Sequence, residues 1–202
     1  MGLPGWWEIE VVVRRRGRLD ATATFPYRLG PPPAGASDPA ATALIDRMES
    51  AMARVRTWRQ DETVTDGAGN VVVTSYGVAR PDRLSYRTSA GNGAVLIGSQ
   101  RFVQEGSGTW EELPLVEPFS VDRYLRSYFQ EAQSATLGRA ARCDTGPCRV
   151  VLWELPEQEA AIAAWIGERD GRLYRLLMRA PSHYMALRLF DFNRQLDIGP
   201  PR

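Results

Sequence analysis

The chain has no lysine, one histidine and two cysteines among its 202 residues. All 25 basic side chains are therefore arginines, and against 24 acidic side chains they leave a formal net charge of +1. Such a chain lacks the strongly basic field that binds a nucleic-acid backbone, so we expect no nucleic acid as a partner. Zinc sites and histidine-dependent triads need more histidine and cysteine than the chain contains.

Long apolar runs are also absent. The longest, 160–166, has seven residues, whereas a membrane-spanning helix needs about 20. The first eight residues lack the basic segment, apolar run and cleavage site of an export signal. No two carboxylates are placed for acid–base chemistry, and Ser120 and Ser182 lack the strand–turn–helix setting of a nucleophile. We therefore expect no enzymatic activity and no cofactor.

The first 30 residues show the alternation of a β-hairpin. Apolar and polar residues alternate on both sides of an arginine-rich turn at 14–18, a period typical of paired strands. A lone hairpin is marginally stable, so this one must pack on something. The Gly/Pro-rich segment that follows is typical of a semi-rigid linker. We predict a hairpin at 1–33, the remnant of an upstream β-sandwich domain, a linker to residue 37, and a main domain at 38–202.

Cys143 and Cys148 flank a short segment of turn-forming residues, Asp144 to Pro147. Strand-like sequence on both sides predicts a disulfide that closes a hairpin tip. The alternative is two free thiols. A disulfide places the domain outside the cytosol, in the periplasm or on the cell surface. The export signal and a membrane anchor are then expected in sequence upstream of Met1.

The main domain begins with an amphipathic helix. Asp38 is a good N-cap, Pro39 suits the first helical position, and apolar residues then recur at three- and four-residue spacing, which predicts about 18 helical residues. These apolar residues are Ala41, Leu44, Ile45, Met48, Met52 and Val55.

From Thr57 the period changes to two, which predicts β-strands joined by Gly/Asp/Asn turns. Ser120 is a candidate cap for a second helix at 121–130. The predicted strands are 57–65, 71–79, 83–88, 94–98, 101–105 and 109–112 before that helix, and 134–142, 148–154, 160–168, 173–180 and 184–193 after it.

Eleven antiparallel strands in one meander favour a strongly bent sheet or an incomplete barrel, because long flat sheets expose their edges. The predicted fold is mainly β (α+β): a half-open antiparallel barrel of about 11 strands. A long N-terminal helix and a second short helix cover its concave face. Two helices do not fill so wide a concavity, which leaves room for an apolar cavity.

Large apolar side chains are the candidates to line that cavity, since aromatic residues supply contact area at low entropic cost. Ordinary packing between sheet and helix is the alternative at each position. The candidate ligand-binding residues are Met48, Met52, Trp58, Val73, Tyr86, Ile97, Phe102, Trp110, Leu125 and Trp165.

Two further features are candidate sites. His183 and Met185, with Met178 nearby, are weak candidates to bind a soft cation such as Cu(I); a lone histidine at a turn is more commonly just exposed. The arginines at 14–18 are candidates to contact anionic lipid headgroups at a membrane surface, and a solvated turn is the alternative.

The main domain resembles a known family. The segments that carry this resemblance are 55–58, 76–84, 96–102, 108–110, 165–166, 170–175 and 184–193, followed by Ile198 and 200–201. They are similar to the lipoprotein-carrier fold of LolA and LolB and of the mycobacterial lipoproteins LppX and LprG. The resemblance implies a half-open barrel whose hydrophobic interior holds acyl chains.

A second resemblance covers about residues 4–29. Pro4 to Ile9, the alternating valines that follow, and Asp20 to Phe25 are similar to the closing hairpin of β-sandwich domains in CopC/CopD-type copper-resistance membrane proteins. Copper ligands in that family are His and Met near the start of the domain, and this hairpin has none at those positions.

We therefore predict an extracytoplasmic, non-enzymatic domain that binds an acyl chain or another apolar ligand and belongs to a copper-resistance-like membrane protein. One alternative is a sensory or protein-interaction domain with a filled interior and no ligand. A second alternative is a copper-handling domain. The sequence leaves the oligomeric state open.

Overall fold

We describe a computed structural model of the chain, which covers residues 5–14, 16–17, 21–29, 37–130 and 132–201. The chain divides into two units, Met1–Ala36 and Ser37–Arg202. In the first unit, β1 (Gly5–Val13) pairs antiparallel with β2 (Ala21–Leu29). Arg15, Arg18 and the predicted linker at 30–36 lie outside the described residues, so the predicted lipid contact of this turn stays a prediction.

Helix α1 (Pro39–Ala53) opens the second unit. The Asp38 Oδ1 atom accepts a hydrogen bond from the Ala40 N–H at 2.8 Å, which confirms the predicted N-cap. The helix has 15 residues and ends before Val55. The prediction extended further because Val55 fits the helical period, but this side chain enters the core from the connection to the first strand of the sheet.

Helix α2 (Val121–Arg126) is also shorter than predicted. Its cap at Ser120 is confirmed, with Oγ accepting from the Arg123 N–H. The predicted residues 127–130 continue as tight turns in which the Tyr128 and Phe129 N–H groups donate to carbonyls three residues earlier. Phe129 thereby stays buried on the same side as the helix.

The eleven predicted strands form one antiparallel sheet. The strands are β3 (Thr57–Thr65), β4 (Val71–Ala79), β5 (Arg83–Thr88), β6 (Gly93–Ile97), β7 (Gln100–Gln104), β8 (Glu111–Pro114), β9 (Gln133–Cys143), β10 (Gly146–Leu155), β11 (Ala160–Gly167), β12 (Leu173–Ala180) and β13 (His183–Phe190). A 3-10 turn, Pro156–Gln158, joins β10 to β11. This confirms the predicted fold class.

The strand order corrects the predicted single meander. The order is β8-β7-β6-β5-β4-β3-β13-β12-β11-β10-β9, so β8 and β9 are the two edges and not neighbours. The sheet consists of two meanders, which are joined where β3 pairs with β13. This pairing runs from Tyr184 opposite Thr65 to Phe190 opposite Arg59. The segment containing α2 separates β8 from β9 in the chain and lets the second meander start at the far edge.

The main core lies on the face of the sheet that packs against α1 and α2, which we call the inner face. Because side chains alternate along a strand, the core residues of β10 and β13 are every second residue, such as Val151, Trp153 and Leu155. Trp58, Trp153, Met48, Met52 and Ile162 are among its largest fully buried members. The indole N–H of Trp153 donates to the Tyr128 carbonyl at 3.2 Å, which ties β10 to the turn after α2.

A smaller apolar cluster lies on the opposite, outer face. It joins Ala79, Val95 and Ile198 to the half-buried side chains of Ile97, Phe102, Trp110 and Leu196. The predicted last strand stops at Phe190 because Asp191 and Asn193 adopt left-handed φ values of 52° and 59°, which aspartate and asparagine tolerate. The C-terminal segment packs against β4 here, since a Cβ on Gly77 would lie in ordinary contact with Ile198 Cδ1, at 3.6 Å.

Arg80 connects the two helices to the sheet. Its Nε donates to the Val55 carbonyl at 2.9 Å, Nη2 donates to the Met52 carbonyl at 3.3 Å, and Nη1 pairs with the Asp122 carboxylate. The side chain of Arg80 is 16% exposed. The guanidinium thus satisfies the Val55 carbonyl and adds a donor to the Met52 carbonyl, which also accepts from the Val55 N–H at 3.1 Å. It also pairs with the acidic first turn of α2.

We predict that Arg80→Ala lowers the free energy of unfolding by about 1–3 kcal/mol, because it leaves the Val55 carbonyl without this donor and removes the ion pair with Asp122. Urea denaturation followed by circular dichroism measures this change. Arg59→Ala is the control, since Arg59 is 54% exposed and 3.7 Å from Asp191, and such pairs contribute less than about 1 kcal/mol. Equal losses for the two variants would contradict the prediction.

The predicted disulfide is present between Cys143 and Cys148, with their Cα atoms 5.8 Å apart. It closes the turn between β9 and β10. Asp144 in this turn accepts hydrogen bonds from the guanidinium of Arg188, the shorter at 2.6 Å, so the tip is also tied to β13.

We predict that the double variant Cys143→Ser/Cys148→Ser melts about 4–8 °C below the native protein, since a loop this short contributes about 2 kcal/mol. Thermal unfolding monitored by circular dichroism checks the value. Adding a reductant should lower the melting temperature of the native protein by the same amount and leave the double variant unchanged. A double variant as stable as the oxidised protein would contradict the predicted contribution of the disulfide to stability.

Candidate ligand-binding site on the inner face

Five of the ten predicted ligand-binding residues lie on the inner-face side. Met48 and Met52 on α1, Trp58 on β3 and Leu125 on α2 are buried in the main core. Tyr86 on β5 is half-buried against that core. That these residues bind a ligand stays a prediction.

The structure places the other five elsewhere. Ile97, Phe102 and Trp110 belong to the outer-face cluster. Val73 is 42% exposed and lies between the inward-facing Thr74 and Val72 positions of β4. Trp165 is buried, but its neighbours in the strand, Ala164 and Ile166, point into the main core, so Trp165 lies on the outer face. There the Arg175 guanidinium lies 5.2 Å from its ring. The ten residues therefore do not line one surface.

The weak copper candidates lie near one another on β12 and β13. Met185 is 6% exposed in the main core, directly opposite Met178. His183 begins β13, with its Nδ1 atom 3.0 Å from the Ser182 hydroxyl. In the described part of the chain, no group of three or more His, Cys, Asp or Glu side chains could hold a metal ion.

Sequence reasoning missed a polar group at the inner face. The Tyr76 hydroxyl donates to Glu62 Oε1 at 2.9 Å, and Gln60 Nε2 donates to the Tyr124 hydroxyl at 2.8 Å. The rings of Tyr124 and Tyr128 are 6.0 Å apart, edge to face. We call Glu62, Tyr76, Tyr124 and Tyr128 the tyrosine–glutamate cluster. It is formed by β3, β4 and the α2 segment.

Burial sets the protonation of this cluster. Desolvation raises the pKa of Glu62 above its usual range, against the hydrogen bond from Tyr76. Desolvation also raises the pKa of Tyr124, to about 12. The pKa values of Tyr76 and Tyr128 are raised as well, again mainly by burial. The three hydroxyls therefore stay protonated at neutral pH and act as neutral hydrogen-bonding groups.

Two clefts flank α2. One of about 280 Å³ lies between α2 and β6; its lining includes Leu96, Phe119 and Tyr124. The other, of about 220 Å³, lies between α1 and α2 over Met52 and Leu125. Because Tyr124 lines the first cleft and is a member of the tyrosine–glutamate cluster, this cleft reaches the cluster.

The inner face near the cluster is only partly covered. Its half-buried apolar side chains pack against the main core and are Val64, Tyr76, Tyr86, Leu96, Tyr124, Tyr128 and Met178. The Tyr76 and Tyr86 rings are 5.6 Å apart. A surface of aromatic and aliphatic side chains with a few convergent polar groups is typical of a small-molecule site.

A third cleft, of about 360 Å³, lies on the outer face under the C-terminal segment. Arg59, Arg87 and Asp197 line it together with Trp110. Its mixed charges make it a poorer match than the inner face for an apolar ligand.

Comparison with solved structures identifies two mycobacterial proteins of the same fold. LppX from Mycobacterium tuberculosis matches with a TM-score of 0.63 and 14% identity, over 81% of this chain and 100% of that chain. LprF from Mycobacterium bovis matches with a TM-score of 0.59 and 12% identity, over 83% and 99%. At this identity the likeness shows the fold alone, an open β-barrel like that of LppX.

Other comparisons add little. No family model and no curated protein matches the sequence. The similarity of the first hairpin to copper-resistance proteins finds no support in the matched structures. Of the described helices, neither has the length and hydropathy to span a membrane.

We predict that Glu62→Gln stabilises the protein more at pH 7 than at pH 4.5. The folded-state pKa of Glu62 is raised by desolvation, so the native protein loses stability as pH rises above about 4.5 and this carboxyl ionises. Glutamine removes that penalty. Urea denaturation of both proteins at the two pH values gives the difference. Asp61→Asn, which removes the same charge on the outer face of β3, is the control. A gain in the free energy of unfolding from Glu62→Gln that is equal at both pH values would contradict the prediction.

Proposed function

We propose that the second unit is an extracytoplasmic, non-enzymatic domain that binds the acyl chain of a lipid or a similar apolar ligand on its inner face. The observation that carries this proposal is the half-buried aromatic and aliphatic surface around α2, next to two clefts on the same side of the sheet. Burying such surface contributes about 25 cal/mol per Å² of apolar area.

Two further observations support the proposal. LppX, which shares the fold, is a lipoprotein by name. The disulfide between Cys143 and Cys148 is of the kind that persists in oxidising compartments outside the cytosol.

The position that we propose for the ligand takes account of the size of the two clefts beside α2. Neither cleft beside α2 exceeds about 280 Å³, below the 300–1,000 Å³ range of typical ligand pockets. We therefore place the chain along the half-buried side chains next to α2, from Leu96 and Tyr124 towards Tyr86 and Met178.

The test is ligand capture by the full chain. Native mass spectrometry of protein purified without detergent should show a reproducible bound lipid, and delipidated protein should take up Nile red with a rise in fluorescence. A protein that is always empty and takes up neither Nile red nor a fluorescent fatty acid would contradict the proposal and favour a ligand-free interaction domain.

We predict that Met178→Asp weakens Nile red binding about tenfold or more, because it places a charge among the apolar side chains of the inner face. Leu177→Asp is the matched control, since Leu177 is the adjacent half-buried residue on the opposite face of β12. Fluorescence titration measures both affinities after melting curves have shown that both variants fold. Equal weakening by the two variants would exclude the inner face as the site.

A further inference from the structure

Glu62 is an unusual residue for an apolar binding surface. The inward-facing positions of β3, β4 and β5 are Trp58, Gln60, Glu62, Val64, Val72, Thr74, Tyr76, Val78, Leu84, Tyr86 and Thr88. Glu62 is the one acidic side chain among them. A carboxylate at such a position costs stability through desolvation, so its presence points to an interaction that compensates for this cost.

One oxygen of Glu62 is available to a ligand. Oε1 accepts the hydrogen bond from the Tyr76 hydroxyl at 2.9 Å, and this is the one hydrogen bond that the described residues make to this carboxylate. Buried side-chain nitrogen and oxygen atoms of the described residues all have hydrogen-bond partners. Oε2, to which no described residue donates, is therefore not fully buried and can accept a hydrogen bond from a ligand on the inner face.

The surroundings of Glu62 hold few charges. The titratable groups that face it are Tyr76 on β4, Tyr124 and Tyr128 from the α2 segment, and His183 at the start of β13. Other carboxylates of the described residues, such as Asp122 and Asp144, form ion pairs with arginines. Among the described residues, no arginine forms an ion pair with Glu62. An anionic group brought to this position would meet a carboxylate without a neutralising cation.

The geometry points to a selectivity for the polar end of the ligand: we propose that this site prefers apolar chains that end in a neutral hydrogen-bond donor, a hydroxyl group, over chains that end in a carboxylate. A hydroxyl donates to the open Glu62 Oε2, a charge-assisted hydrogen bond of the stronger kind. A carboxylate is repelled at the same place, because like charges at a desolvated site are strongly unfavourable. This inference rests on the proposed binding of an apolar ligand.

The neighbouring groups fit this assignment. The Tyr76 hydroxyl donates to Oε1 and Gln60 Nε2 donates to the Tyr124 oxygen, so these two donors are already engaged within the protein. Because Oε2 of the ionised Glu62 can only accept, a ligand group that bonds to it must be a donor. The aromatic rings of Tyr76 and Tyr86 lie beside it and contact the chain that follows the hydroxyl.

The experiment compares two probes with the same chain, dodecan-1-ol and dodecanoate, as competitors of bound Nile red at pH 7.5. We expect dodecan-1-ol to displace the dye at a concentration about tenfold or more below that of dodecanoate, the size expected for one hydrogen bond to a charged group. Glu62→Gln should reduce this ratio to within about twofold, because it removes the repulsion and retains an acceptor.

Asp61→Asn is the matched control, since it removes the same charge from the neighbouring residue, whose carboxylate accepts from Ser75 on the outer face. It should keep the native preference for the alcohol. Equal displacement by both probes, or a preference that survives in Glu62→Gln, would overturn the selectivity while leaving apolar binding intact. Failure of the native protein to bind Nile red or either probe would instead contradict the proposed function.

Discussion

The position of α2 depends on the Arg80 guanidinium. A helix of six residues is too short to be stable by itself, so tertiary contacts must hold it in place. Arg80 pairs with Asp122 in its first turn, and the Val121 N–H donates to the Pro81 carbonyl at 3.0 Å. The same guanidinium binds two carbonyls at the end of α1. One side chain thus sets both the cover of the inner face and the positions of Tyr124 and Tyr128.

Local sequence signals were enough to predict the elements. Strict alternation gave eleven strands, and the capping residues Asp38 and Ser120 gave the starts of both helices. The ends were harder because Val55 and Phe129 fit a helical period although their backbone has left the helix. Side-chain periodicity reports which residues are buried, and burial does not require that the helix continue.

The faces of the sheet could not be assigned from the sequence, because both carry apolar side chains. Trp110 and Ile97 were expected beside Trp58, but they pack with Ile198 on the outer face. That cluster exists because the C-terminal segment crosses β4 and β5, with Arg83 donating to the Ile198 carbonyl at 2.9 Å. A contact between residues 115 positions apart has no signature in local periodicity. The strand order was missed for the same reason, since β3 and β13 are the first and last strands of the sheet.

The tyrosine–glutamate cluster has a sequence signal in β3. Trp58 and Val64 mark the inward positions, and Gln60 and Glu62 occupy the two between them, where an apolar core would have apolar residues. Polar residues at core positions that break a local rule are expected where function requires them. A protein selected for stability alone would place an aliphatic side chain at Glu62, since burial there raises the pKa and penalises the charge. The low polarity that makes Glu62 costly also strengthens any hydrogen bond it accepts, so the position that weakens the fold is the position best suited to recognise the polar end of a ligand.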